Sequence, residues 1–118
     1  WLTKPDLRRR SATYNSAMND SAHIVRVSKD LEDLIPTFMG NRRKELDALR
    51  AALAAADFEQ LRQIGHRMRG VGHSYGFDDV SDIGRRIEEG ARNSDKAALE
   101  AQLSRYADYL TRVQIVYE

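Results

Sequence analysis

The chain has 118 residues, 42% of them apolar, with 19 basic residues against 18 acidic ones for a net charge of +1. That describes one globular domain with a real core and no global electrostatic pull toward nucleic acid or a membrane surface. The absence of cysteine excludes disulfides, thiol catalysis and thiolate metal sites and fits a cytoplasmic setting. No apolar run approaches the ~18 residues of a membrane span, and only Pro5 and Pro36 interrupt the potential for helix.

Residues 1–27 differ from the rest. They are rich in Ser, Thr and Asn and read as an N-terminal linker, with a helical turn after Pro5 and a solvated basic run, Arg8 to Arg10. His23 lies there without a partner at useful spacing, and Ile24 to Val27 is a β-branched, extended run. Ser28 is a candidate N-cap for a short helix carrying Leu31, Leu34 and Ile35, which Pro36 breaks while starting the next. Phe38, Met39, Leu46, Leu49 and Leu53 recur at threes and fours and predict an amphipathic helix over 37–56. Asp57 caps the following helix, and Asp78 or Asp79 caps a third with Val80, Ile83, Ile87 and Ala91 inward. After the Asn93-Ser94-Asp95 turn, Ser94 is expected to cap the last helix, whose stripe is Leu99, Leu103, Tyr106, Leu110 and Val113. Short loops between long helices predict an all-α fold over 28–118, an antiparallel four-helix bundle with a short extra N-terminal helix.

The stretch Phe58 to Phe77, FEQLRQIGHRMRGVGHSYGF, sorts its side chains sharply as a helix at about 100° per residue. Leu61, Ile64, Met68, Val71 and Tyr75 fall within roughly 40° of the direction opposite His66. Arg62, Arg69, Gly70 and His73 share the histidine's side, and Gly65, Gly72 and Gly76 form a third stripe that reads as close approach of a neighbouring helix. Gly70 is different. A glycine in a helix interior costs about 1 kcal/mol relative to alanine, and on an outward face it leaves a flat place beside the imidazole. Arg69 sets a permanent cation with several donors beside the same ring, the group suited to a phosphoryl oxygen.

The run H-R-M-R-G-V-G-H-S-Y-G resembles the signature of histidine-containing phosphotransfer (HPt) domains, which read His-x-Leu/Met-Lys-Gly with a later glycine on the same helix. His66, Met68, Gly70 and Gly76 match. Arg69 replaces the usual lysine, Val71 a small or hydroxyl residue, and His73 is outside the signature. The resemblance spans about Val27 to Glu118. It implies that His66 accepts a phosphoryl group from the aspartyl phosphate of a receiver domain and passes it on, with Arg69 stabilising the phosphoryl group and Gly70, Arg62 and His73 on the docking face. Glu88 stands where the family places the Glu or Gln that orients the imidazole; alternatively it is a surface residue paired with Arg85 and Arg92. The partners implied are response-regulator receivers and a histidine kinase of the same relay, with Mg²⁺ on the receiver and no cofactor on this chain. Neither nucleic acid, membrane insertion nor a small-molecule substrate is expected. Histidine's ordinary pKa of about 6.5 leaves a neutral nucleophilic nitrogen available near neutral pH. The opening WLTKP resembles the end of a receiver domain, as in a hybrid signalling protein.

Two rival readings compete with a phosphocarrier. His66 and His73 share a face, but seven residues give roughly 10 Å of rise, too far for one ion, and no bundle metal spacing is present. The other rival is an inactive docking bundle, in which Arg69 and Gly70 are coincidences. No catalytic triad or carboxylate pair suggests an autonomous enzyme.

Overall fold

A computed structural model describes residues 23–118. The expectations for the turn after Pro5, the basic run, the linker and the WLTKP likeness lie outside the described residues. The order of elements is β1 (His23–Val27), a 3-10 helix (Lys29–Leu34), α1 (Ile35–Ala54), α2 (Phe58–Ser74), α3 (Asp78–Arg92), α4 (Lys96–Arg112) and β2 (Val113–Tyr117). The fold is thus mostly helical, built on four α-helices.

Local signals set most of the boundaries. Ser28 Oγ accepts the Asp30 N–H at 3.2 Å and opens the 3-10 helix, and Pro36 sits in the first turn of α1. The Asp57 carboxylate accepts the Gln60 N–H at 3.1 Å at the start of α2. Two expected caps move. Asp95, not Ser94, caps α4 by accepting the Ala98 N–H at 3.1 Å, while Ser94 takes a left-handed turn conformation with φ 49°. The cap position of α3 is Phe77, without a side-chain cap, so Asp78 and Asp79 fall in the first turn, where their charges favour the helix dipole. Packing explains the shift, because Phe77 is fully buried with its ring 4.8 Å from that of Phe38.

The all-α expectation misses one feature, a two-stranded parallel sheet. β1 pairs with β2 in the register His23↔Val113 to Val27↔Tyr117. Glu118 N–H donates to Val27 O at 3.0 Å and Lys29 N–H to Glu118 O at 3.1 Å, continuing the ladder. Val113 therefore leaves the helical stripe: α4 ends at Arg112 and the VQIVY segment alternates between half-buried and exposed. Residues 23–27, grouped with the linker by sequence, are tied by this ladder to the end of the last helix.

The core lies between the helices, with Leu49 of α1, Leu61, Ile64 and Met68 of α2, Val80, Ile83 and Ile87 of α3, and Leu99 and Tyr106 of α4 almost wholly buried. Glycines let α2 and α3 come unusually close. A Cβ at Gly65 would stand 2.7 Å from both Glu88 N and Gly84 O, and one at Gly72 would stand 2.7 Å from Ser81 N. A Cβ at Gly84 would meet that of Met68 at 2.5 Å. Gly65 and Gly72 thus serve the close approach read from the sequence, whereas Gly76 serves the turn after α2 with φ +87°. This approach sets His66 of α2 opposite Glu88 of α3.

Candidate functional site

His66 projects from the face of α2 opposite its buried stripe, and its side chain is 66% exposed. Across the glycine contact, the Glu88 side chain is only 2% exposed. His66 Nδ1 lies 3.1 Å from Glu88 Oε2, Arg69 Nη1 donates to Oε1 at 3.0 Å, and Arg92 Nη2 donates to Oε2 at 2.8 Å. Both carboxylate oxygens are therefore engaged. Burial works to raise the Glu88 carboxyl, but hydrogen bonds from Arg69 and His66 and the charge of Arg92 outweigh it and hold it below its usual range. An ionised carboxylate only accepts, so the shared proton belongs to Nδ1. In the neutral form of the ring Nε2 is then the nitrogen with the free lone pair, and it makes no hydrogen bond among the described residues.

The other residues on this face divide. A Cβ on Gly70 would meet nothing within 4 Å, so the surface beside His66 is open. Arg62 folds back onto Glu59 through bonds of 3.0 and 2.7 Å. Those bonds, chiefly, pull the Glu59 carboxyl down to about 2. His73 Nδ1 lies 3.1 Å from Asp78 Oδ1, both strongly exposed, and belongs to the end of α2 rather than to the Glu88 cluster. Arg85 pairs with Asp82 at 2.8 Å instead of with Glu88.

Glu88 is thus not a surface residue, although the helical pair with Arg92 is formed. Its burial follows from the Gly65–Gly84 contact, which brings the α2 backbone against Glu88 N. The glycine spacing signalled close packing, but only the fold shows which side chain is sealed by it. Arg92 is the member of the cluster that the sequence left without a functional part. Arg69 is also not a free cation: the same carboxylate that faces the imidazole holds it.

A family model described as the Hpt domain matches residues 33–115. The chain belongs to the Hpt domain family. Such domains are the histidine phosphotransfer modules of two-component phosphorelays. The match takes in all four helices and the whole His66–Glu88 cluster, while β1 lies outside it. No curated protein and no solved structure matches the chain. Among the described residues of this Hpt domain, no group of three or more His, Cys, Asp or Glu is placed to hold a metal ion. No described helix is long and apolar enough to cross a membrane.

Proposed function

We propose that this Hpt domain is a phosphocarrier that takes a phosphoryl group on His66 from a receiver aspartyl phosphate and delivers it to another receiver. The observation that carries the proposal is the hydrogen bond between His66 Nδ1 and a buried, doubly arginine-held carboxylate, which leaves Nε2 exposed as the nucleophile.

The chemistry balances with few groups. The Nε2 lone pair attacks phosphorus, an N–P bond forms, and the P–O bond to the receiver aspartate breaks with its electron pair leaving on the carboxylate. The imidazole becomes cationic as the bond forms. Its Nδ1 proton stays in the bond to Glu88, whose charge stabilises the ring and fixes its orientation. Arg69, half exposed and one turn from His66, is placed to turn a donor toward the incoming phosphoryl oxygens. Arg92 keeps Glu88 held while Arg69 moves. The open surface at Gly70 admits the receiver, with Arg62 and His73 bordering the docking face.

Phosphoryl transfer is largely positioning and charge stabilisation, so the receiver's Mg²⁺ and aspartate complete the site and this chain needs no cofactor. On this reading the domain is a carrier and not an autonomous enzyme, and a histidine kinase of the same relay supplies the phosphoryl groups. The bundle works in the cytoplasm, its helices antiparallel as the three-residue connections favour.

One observation favours a docking-only module: Arg69 is already bound to Glu88. Incubating the full chain with a radiolabelled phosphorylated receiver separates the two readings. The carrier acquires acid-labile, alkali-stable label; a docking module binds the receiver and stays unlabelled with every receiver tried.

A further inference from the structure

The two strands leave their outer edges in different states. In a parallel ladder, alternate residues of each strand turn both backbone groups toward the neighbouring strand, and the residues between them turn theirs away. Glu118 N–H donates to Val27 O and Glu118 O accepts from Lys29 N–H. With the register His23↔Val113, the groups that point away are then those of Ile24 and Arg26 on β1 and of Val113, Ile115 and Tyr117 on β2. The β1 edge is covered. The turn after α2 stands against it, where a Cβ on Gly76 would come 3.7 Å from Arg26 O. β1 also carries the charge of Arg26, and its His23 ring packs 5.4 Å from that of Tyr109.

The β2 edge lacks these guards. Val113 N–H is taken by Tyr109 O at the end of α4. Val113 O and both backbone groups of Ile115 and Tyr117 have no hydrogen-bond partner among the described residues. Natural edge strands carry lysine, proline or a bulge that discourages pairing. The segment VQIVY has no charge, proline or glycine and is rich in β-branched residues. Val113, Ile115 and Tyr117 are only half-buried and Val116 is 40% exposed, so apolar surface on both faces of the strand still meets water. A sheet of two strands gains stability from a further one.

Charge selects the occupant. The neutral segment is bracketed by Arg112 and Glu118. A second copy laid antiparallel about Ile115 sets Val113 opposite Tyr117 and each Arg112 beside the other copy's Glu118. The outward backbone groups then meet in phase. The two Ile115 residues exchange both of their hydrogen bonds, and each Tyr117 N–H donates to Val113 O across the axis. Parallel pairing in register would instead stack each charge on its like.

We propose that β2 is the seam of a homodimer, two copies joining β2 to β2 antiparallel about Ile115 into one continuous sheet. Each copy offers one such edge, so the assembly closes at two. A strand of five residues makes less than a standard interface, so the dimer is weak and exchanges readily. It does not rest on the phosphotransfer reading, and His66→Gln leaves it intact.

The test is sedimentation equilibrium of the full chain from micromolar concentration to roughly 1 mM, with amide hydrogen exchange followed by NMR at both ends of that range. A monomer–dimer equilibrium is expected, the Ile115 and Tyr117 amides gaining protection as concentration rises. Arg112→Glu weakens the dimer roughly tenfold, since two exposed attractive pairs turn repulsive, and adding Glu118→Arg to it restores association. Ile115→Pro removes an outward N–H without touching the ladder to β1 and abolishes the dimer. Should that variant disturb the packing beneath it, the charge exchange stands as an independent test. A monomer at every concentration, growth beyond two copies, or a dimer indifferent to Arg112→Glu and Ile115→Pro would overturn the proposal. So would protection of the same amides in a monomer at every concentration, which would assign the edge to residues 1–22 of the same chain.

Discussion

Two glutamates, each held by arginine away from water, meet different fates in this molecule. Glu45 accepts Arg42 Nε at 3.0 Å and the Tyr106 hydroxyl at 2.8 Å, both on one oxygen, and Arg42 itself lies 4.6 Å over the ring of Phe38. Burial dominates there and raises the carboxyl, despite the charge of Arg42. Glu88 spreads two arginines and an imidazole over both oxygens and is lowered instead. The first cluster is largely buried, with the Arg42 and Glu45 side chains each 10% exposed; the second ends in a ring that is two-thirds exposed. Nearly the same residue types thus make a structural brace in one place and, in the other, the setting of the histidine proposed as the nucleophile. What separates them is the group at the open end.

The comparison can be broken most severely at His66. His66→Gln abolishes phosphoryl label while the fold is kept, and His73→Gln leaves labelling intact; label surviving the first or lost with the second reassigns the site. Next come the two carboxylates. Glu45→Ala leaves the buried Arg42 unpaired and costs about 3–5 kcal/mol in denaturant unfolding. Glu88→Ala costs less, since Arg69 and Arg92 are about half exposed and can turn to water. It slows transfer by roughly a hundredfold, the scale of a lost proton-holding partner. Equal stability losses, or an unchanged transfer rate, would erase the distinction.

Smaller effects sharpen the same contrast. Gly65→Ala forces α2 from α3 and costs about 1–3 kcal/mol, displacing His66 from Glu88, whereas Gly70→Ala meets open space and stabilises by up to about 1 kcal/mol through helix propensity. Thermal unfolding of the pair reads both signs, and Gly70→Leu adds bulk that hinders receiver binding. The smallest effect is in pH. Glu88 sits below its ordinary value of 4.5, so its ionised form adds stability at neutral pH that fades as pH falls from about there through the lowered value. Glu45 is raised, so its ionised form costs stability, and acid relieves the cost. The melting-temperature advantage of wild type over Glu88→Gln therefore shrinks on acidification, while that over Glu45→Gln grows.

Much of this was legible in the sequence, because the periodicity of Leu61, Ile64 and Met68 fixes which way His66 points. The outward imidazole, the flat place at Gly70 and the caps at Ser28 and Asp57 follow from local rules. What local rules cannot carry is contact between distant segments. Val113 continues a helical stripe by spacing, but a β-branched segment found β1 as a partner across the whole chain. Phe77 displaced Asp78 from the cap because its ring was needed against Phe38. Glu88 was placed by family likeness, and its burial and its second arginine come only from the approach of α2 to α3. The pairing of Tyr109 with β1 had no sequence signal at all, since His23 stands alone in its segment.

The central claim is that Glu88 holds the Nδ1 proton of His66 and thereby presents Nε2. The measurement that tests it most directly is nitrogen–phosphorus coupling NMR on the chain after phosphorylation by a charged receiver. Phosphorus bonded to Nε2 of His66, with a proton retained on Nδ1, is the predicted result. Phosphorus on Nδ1, or on any residue other than His66, would contradict it.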